Sequence, residues 1–177
     1  MAGKIIFVLG GASSGKTAFA QSLCEKSAER CIYVATAQSL DEEMAAKIER
    51  HRQLRGERWR TIEAPTALSA ALHGLRSENG AAVLVDCVTL WISNLLGFEN
   101  KTDTEVFDMS EEFIASARSL SVPAVIVSNE TGLGIVPDNA LARRFRDVSG
   151  RVNQMIASAS DDAYSVVAGM PMKLKGR

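Results

Sequence analysis

Cysteine and histidine are scarce, positive charge is in no overall excess, and no apolar run is long. Three cysteines, Cys24, Cys31 and Cys87, stand among 177 residues, an odd number without a C-x-x-C spacing. That excludes a disulfide framework and a cysteine zinc site, and leaves three ordinary buried thiols. The opening MAGKIIFVLGG is too short in its apolar stretch for a secretory signal. The longest uncharged stretch, CVTLWISNLLGF, is broken by Thr, Ser and Asn and cannot span a bilayer. The chain therefore reads as cytoplasmic, with no membrane partner. A formal net charge of −1 gives no basic excess of the kind that advertises nucleic acid. With 46% hydrophobic and 23% charged residues, what remains is an ordinary globular composition, long enough to bury a core as one domain.

Runs of β-branched and apolar residues alternate with helical patterns along the chain. IIFVLG (5–10), CIYVAT (31–36), AAVLVDC (81–87), VPAVIVSNE (122–130) and DAYSVVAG (162–169) read as strands, most of them buried on both faces. WRTIEA (59–64) is a shorter strand with an alternating pattern, and the PMKLKG tail adds a short edge strand. Helices are expected over 17–27, where Phe19 and Leu23 mark one face, and over 42–55 behind an Asp41 cap. Further helices are expected over 67–76, from 88 through VTLWISNLL, over 104–120 and over 139–159. Such alternation implies right-handed crossovers and a mainly parallel sheet with both faces covered.

The first strand–helix junction reads GGASSGKT, so Gly10, Gly15, Lys16 and Thr17 match G-x-x-x-x-G-K-[ST] without a mismatch. Gly10, Gly11, Ala12, Ser13, Ser14 and Gly15 would turn their backbone N–H groups onto phosphate oxygens at a helix N-terminus. Lys16 supplies a point charge for the β and γ phosphates, and the Thr17 hydroxyl suits Mg²⁺. Asp86 ends the strand AAVLVD, where a P-loop fold places its second acidic residue, also a candidate Mg²⁺ ligand. These residues specify a nucleoside triphosphate such as ATP or GTP; they do not specify which bond is made.

Positive charge is concentrated instead. KIERHRQLRGERWR (47–60) holds six Lys and Arg against Glu49 and Glu57, which leaves the rest of the chain at −5. A local anionic ligand suits this better than a long polyanion. His51 sits in the middle. Spacing puts it on a face with Met44 and Ile48, where a histidine is ordinarily packed; alternatively it is a nucleophile beside a phosphate site. Arg50, Arg52 and Arg55 would hold its imidazole neutral, the form that can attack phosphorus. His73, in SAALHGLR, has no such surroundings and reads as structural.

The blocks GGASSGKT, YVATAQSLDEEMAAKIERHR, WRTIEAP, VLVDCVTLWISNLL, SNETGLGIVP, ALARRFRDVSGRVNQ and GMPMKLKG come in one order along almost the whole chain. In these it resembles the bifunctional adenosylcobinamide kinase / adenosylcobinamide-phosphate guanylyltransferases of cobalamin biosynthesis. The resemblance implies a single P-loop NTPase domain of RecA-like type over residues 1–177, assembled as a homotrimer. It implies that adenosylcobinamide is phosphorylated with ATP or GTP, and that GMP then passes from GTP through a guanylylated histidine to adenosylcobinamide phosphate. The histidine of the matching block is His51, and Val34, Ala35, Thr36, Arg52, Gln53, Leu54, Arg55, Glu63 and Asp86 would line the GTP site. Glu63 could accept from guanine N1–H and N2–H₂ together, a donor pair adenine lacks on that edge; Asp86 could do this in place of holding metal. Two local departures are the turn RGERW, where relatives commonly carry a proline, and aspartate at 86, where some carry glutamate. The rival readings are a monofunctional P-loop small-molecule kinase with His51 packed, a GTP-binding regulatory module, and a RecA-like DNA-binding module, which the missing basic excess disfavours.

Overall fold

The computed structural model describes residues 3–38 and 56–176. The expected helix over 42–55, its Asp41 cap, His51, Arg52, Gln53, Leu54 and Arg55 lie outside the described residues. Seven strands form one sheet: β1 (Ile5–Gly10), β2 (Arg30–Ala35), β3 (Trp59–Glu63), β4 (Ala81–Asp86), β5 (Ala124–Asn129), β6 (Asp162–Val167) and β7 (Met170–Lys175). Their order across the sheet is β3-β2-β4-β5-β1-β6-β7. Every pairing is parallel except β6 with β7. The helices are α1 (Lys16–Ser27), α2 (Leu68–His73), α3 (Val88–Gly97), α4 (Asp103–Arg118) and α5 (Ala140–Ala159).

Continuous apolar strands are what a sheet covered on both faces requires, because successive side chains point to opposite sides. Ile5 and Phe7 of β1, Val83 and Val85 of β4, and Ala124 and Ile126 of β5 join the larger core with α2, α3, α4 and α5. Trp91, Phe7 and Phe113 are its largest fully buried side chains, with the Trp91 and Phe113 ring centroids 5.8 Å apart. The alternate residues, Ile6, Val8, Ala82, Leu84, Val125 and Val127, face the other way onto α1. There the contact is made by Ala20 and Cys24, both fully buried, while Phe19 and Leu23 flank it half-buried. The expected face is thus turned by one residue. Small side chains let the helix lie close to the sheet, and the larger ones spread over its margins.

Local chemistry sets the ends of the elements. Thr102 caps α4 in a reciprocal box, accepting from the Glu105 amide while Glu105 takes the Thr102 amide at 2.8 Å. Such a cap stabilises a helix by about 1 kcal/mol. The expected helix over 67–76 stops at His73, and turn hydrogen bonds carry the chain through Leu75 and Arg76. The last parallel strand ends at Val167 because Ala168 and Gly169 take positive φ, 50° and 79°, and reverse the chain into β7. All three cysteines are free and buried, as their sparse pattern suggested.

Candidate active site

Parallel strands bring their carboxyl ends to one edge, the place where open α/β sheets bind ligands. Across that edge stand Glu63 of β3, Ala35 of β2, Asp86 of β4, Asn129 of β5 and Gly10 of β1. The register pairs Ala35 with both Glu63 and Asp86, and Gly10 with Asn129. Residues far apart in sequence thereby form one row.

The loop from Gly10 to Gly15 links β1 to α1. Ser13 and Gly15 take positive φ, 54° and 90°, which bends the loop around the start of the helix. The Ser14 amide donates to the Gly11 carbonyl at 3.3 Å. A side chain at Gly10 would lie 2.6 Å from both the Ser14 Oγ and the Val166 carbonyl, so no larger residue fits there. Lys16 is 9% exposed, and its Nζ donates to the Gly11 carbonyl at 3.0 Å, folding the ammonium back over the loop. The first turn of α1 holds no acidic residue. Helix N-terminus, exposed Gly11, Ala12 and Ser13, and an inward-folded cation together make a cradle for anionic oxygens.

Five other sequence-predicted residues divide by role. Asp86 is half-buried, and its Oδ2 accepts from the Tyr33 hydroxyl at 3.0 Å. Val34 is fully buried in the larger core. Thr36 is fully buried, its Oγ1 accepting from the Cys87 amide and donating to the Cys87 carbonyl, each at 2.8 Å. Its own carbonyl accepts from the Asn94 side-chain Nδ2 at 2.9 Å. Thr36 therefore clamps the end of β2 to the start of α3, directly behind Asp86. Glu63 is exposed at the end of β3. Thr17 is half-buried in the first turn of α1.

Mg²⁺ prefers oxygen ligands, one or two from protein and the rest from phosphates and water. The Thr17 hydroxyl and the Asp86 carboxylate fit that donor set. Among the described residues no group of three or more His, Cys, Asp or Glu is arranged to hold a metal by itself.

Two further contacts hold this edge together. The Gly169 amide donates to the Ser14 carbonyl at 2.8 Å, so the β6–β7 turn braces the phosphate loop. A side chain at Gly15 would stand 3.1 Å from the Gly169 Cα. The A-G pair was visible as a strand end, but no local pattern announces a contact with the opposite end of the chain. At the end of β5, the Thr89 Oγ1 accepts from the Asn129 amide at 2.6 Å and shares a bond with Ser128. The Glu130 amide then donates to the Gly10 carbonyl at 3.1 Å, joining the loop after β5 to the rim of the cradle. Near the start of α5, Arg143 donates to the Pro137 and Asp138 carbonyls, and Arg144 to the Asp103 carboxylate and the Lys101 carbonyl.

Strand order, crossover pattern and phosphate loop together define a P-loop nucleotide-binding protein with the RecA-like sheet. The crystal structure of the RadB recombinase shares the fold, with a TM-score of 0.54 at 15% identity over 93% of this chain and 74% of that one. The family model described as "Cobinamide kinase / cobinamide phosphate guanyltransferase" matches residues 6–174, and the chain belongs to that family. It is 41% identical to the bifunctional adenosylcobalamin biosynthesis protein CobU of Escherichia coli strain K12, over 97% of this chain and 99% of that protein. It is 43% identical to the bifunctional adenosylcobalamin biosynthesis protein CobP of Pseudomonas aeruginosa, over 96% of each. No helix among the described residues is long and apolar enough to cross a membrane.

Proposed function

We propose that this chain phosphorylates adenosylcobinamide at its aminopropanol hydroxyl and then converts the product to adenosylcobinamide-GDP. The observation that carries the reading is the anion cradle at the β1–α1 junction, with Lys16 folded over it, in a chain that aligns end to end with bifunctional relatives. In the first reaction the corrinoid hydroxyl oxygen attacks the γ-phosphorus of ATP or GTP. The bond to the β–γ bridging oxygen breaks and the nucleoside diphosphate leaves. Lys16 and the backbone amides of the loop hold the phosphates in line, which is most of what phosphoryl transfer needs. Thr17 and Asp86 would hold Mg²⁺, which supplies charge neutralisation on the phosphate oxygens.

In the second reaction a neutral His51 nitrogen attacks the α-phosphorus of GTP and pyrophosphate leaves. A phosphate oxygen of adenosylcobinamide phosphate then attacks the same phosphorus, and the bond to His51 breaks. Glu63 reads the guanine edge, and Arg52 and Arg55 carry charge beside the phosphates. The working assembly in this reading is a homotrimer; a light-scattering mass three times that of one chain is the expected result.

The decisive experiment uses Mg²⁺ and GTP labelled at the α-phosphate. A covalent label that survives alkali, is lost in acid and is missing from His51→Ala is the expected result. A folded, GTP-binding preparation that takes up no label sinks the transferase half. For the kinase half, ADP or GDP release must depend on adenosylcobinamide.

A further inference from the structure

Alternation along β4 decides which way Asp86 points. Ala82 and Leu84 face α1, so Asp86, at the next alternate position, is on that face as well. α1 runs back over β4 from the carboxyl edge, and its Cys24 thiol meets the Val83 carbonyl at 3.9 Å. From Val83 to Asp86 the strand climbs roughly 10 Å, and from Cys24 back to Thr17 the helix climbs about as far. That helical step is about two full turns, so Thr17 shares the sheet-facing stripe of Ala20 and Cys24. Thr17 and Asp86 therefore come level, one on the helix and one on the strand beside it. We infer that Tyr33 is the positioning residue of this pair: its hydroxyl fixes the Asp86 carboxylate in the orientation that receives Mg²⁺ opposite Thr17. The inference rests on the proposed function, and it assigns Asp86 to the metal rather than to the base.

The contact is held from several sides. In the register of β2 and β4, Tyr33 pairs with Leu84 and Ala35 with Asp86. The ring therefore leans along the strand toward the carboxyl edge, and the small side chain of Ala35 leaves the room it crosses. At 8% exposed, Tyr33 is packed in the smaller core, edge-on to Trp59 with ring centroids 6.4 Å apart. Trp59 is tied in turn to α1, its Nε1 donating to the Glu25 Oε1 at 3.0 Å. A ring locked in this way delivers its hydroxyl to the Asp86 Oδ2 at 3.0 Å with little freedom left to lose. Donation to a carboxylate is one of the stronger hydrogen bonds, and it sets the plane of the group. Mg²⁺ demands near-octahedral geometry, so a carboxylate that swings loses affinity even though its charge stays. A phenylalanine would fill the same space without holding the oxygen.

Tyr33→Phe is the test, read first by binding. A fluorescent GTP analogue is titrated in excess EDTA and then across a range of Mg²⁺ concentrations. The Mg²⁺ concentration that half-completes the tightening of nucleotide binding should rise about tenfold or more, the size usual for losing a group that orients a metal ligand. Affinity in EDTA should match the parent's. Phosphorylation should fall at low Mg²⁺ and recover at high Mg²⁺, a rescue that a packing defect does not give. In an Asp86→Ala background, Tyr33→Phe should change the Mg²⁺ requirement no further. An unchanged Mg²⁺ requirement in Tyr33→Phe overturns the inference, as does an equal loss of affinity with and without Mg²⁺. A Tyr33→Phe chain that does not fold overturns it too, because the hydroxyl would then be supporting the sheet. A parent that binds nucleotide more tightly with Mg²⁺ but never phosphorylates adenosylcobinamide defeats the proposed function instead. A raised Mg²⁺ requirement in the variant still supports the role of Tyr33 in that case.

Discussion

At Lys16, a backbone carbonyl holds the one cation of the phosphate loop in place before any ligand arrives. The Gly11 carbonyl fixes the ammonium over the loop, so it need not reorganise when a triphosphate arrives. Lys16→Ala should therefore lower kcat/KM for the phosphorylation about 10²-fold or more, a size usual for a lost electrostatic contact. Thermal melts should stay close to the parent's. The thiols allow a different test. Burial pushes the Cys87 thiol up to about 11, with the charge of Asp86 adding to it, and burial also raises Cys24 and Cys31. The sign follows from which state keeps its proton. Above about pH 9 the unfolded thiols ionise while the folded ones stay neutral, so the unfolded state gains and stability falls with rising pH. Urea midpoints should be level up to about pH 8.5 and drop between pH 9 and 11. Cys87→Ala should soften that drop. A rise over the same interval would contradict the assignment.

Among the elements, the C-terminal hairpin carries a function its sequence hides. β1 and α1 were legible because a P-loop is local: eight consecutive residues with a strand before and a helix after contain the whole device. The parallel core was legible too, since strands buried on both faces show as unbroken apolar runs. Other features depend on what approaches from elsewhere. Ala20 and Cys24 replace Phe19 and Leu23 at the sheet because only small residues allow that approach. Thr36 was expected beside a nucleotide, yet its hydroxyl is committed to Cys87. The turn at Ala168 and Gly169 looks like any strand end until it meets Ser14. That contact makes β6 and β7 part of the cradle's support. Gly169 sits at φ 79°, where a β-branched residue is strained. Gly169→Val should cost about 1–2 kcal/mol of stability and weaken nucleotide binding in addition. Titration with a fluorescent nucleotide well below the melting temperature separates the two effects. If affinity matches the parent's while the protein is destabilised, the turn supports the fold alone.

Over the whole molecule, the row Glu63, Ala35, Asp86, Asn129 and Gly10 sets a length. β3 lies four strand positions from β1 in the sheet, roughly 19 Å at a spacing near 4.8 Å. A nucleotide with its phosphates at the loop would have to run along the carboxyl edge, past Asp86, to bring its base to Glu63. The two proposed reactions use this span differently. Phosphorylation needs only the triphosphate end, so either ATP or GTP serves. Guanylyl transfer also needs the base to be identified, because the transferred group contains it. A carboxylate paired with guanine N1–H and N2–H₂ makes charge-assisted hydrogen bonds that adenine cannot replace. Removing the carboxylate should therefore injure one reaction and spare the other. Glu63→Gln should lower kcat/KM for GTP in guanylyl transfer about 10-fold to 100-fold, the loss of roughly 1.5–3 kcal/mol expected for hydrogen bonds to a charged group. ATP-driven phosphorylation should stay within about twofold of the parent, since a nucleotide base without that donor pair gains nothing from Glu63. Inosine triphosphate, which lacks the N2 amino group, makes the prediction sharper. The parent should prefer GTP to it, and Glu63→Gln should narrow that preference. Equal losses in both reactions would mean that Glu63 supports the fold of the edge rather than reading the base.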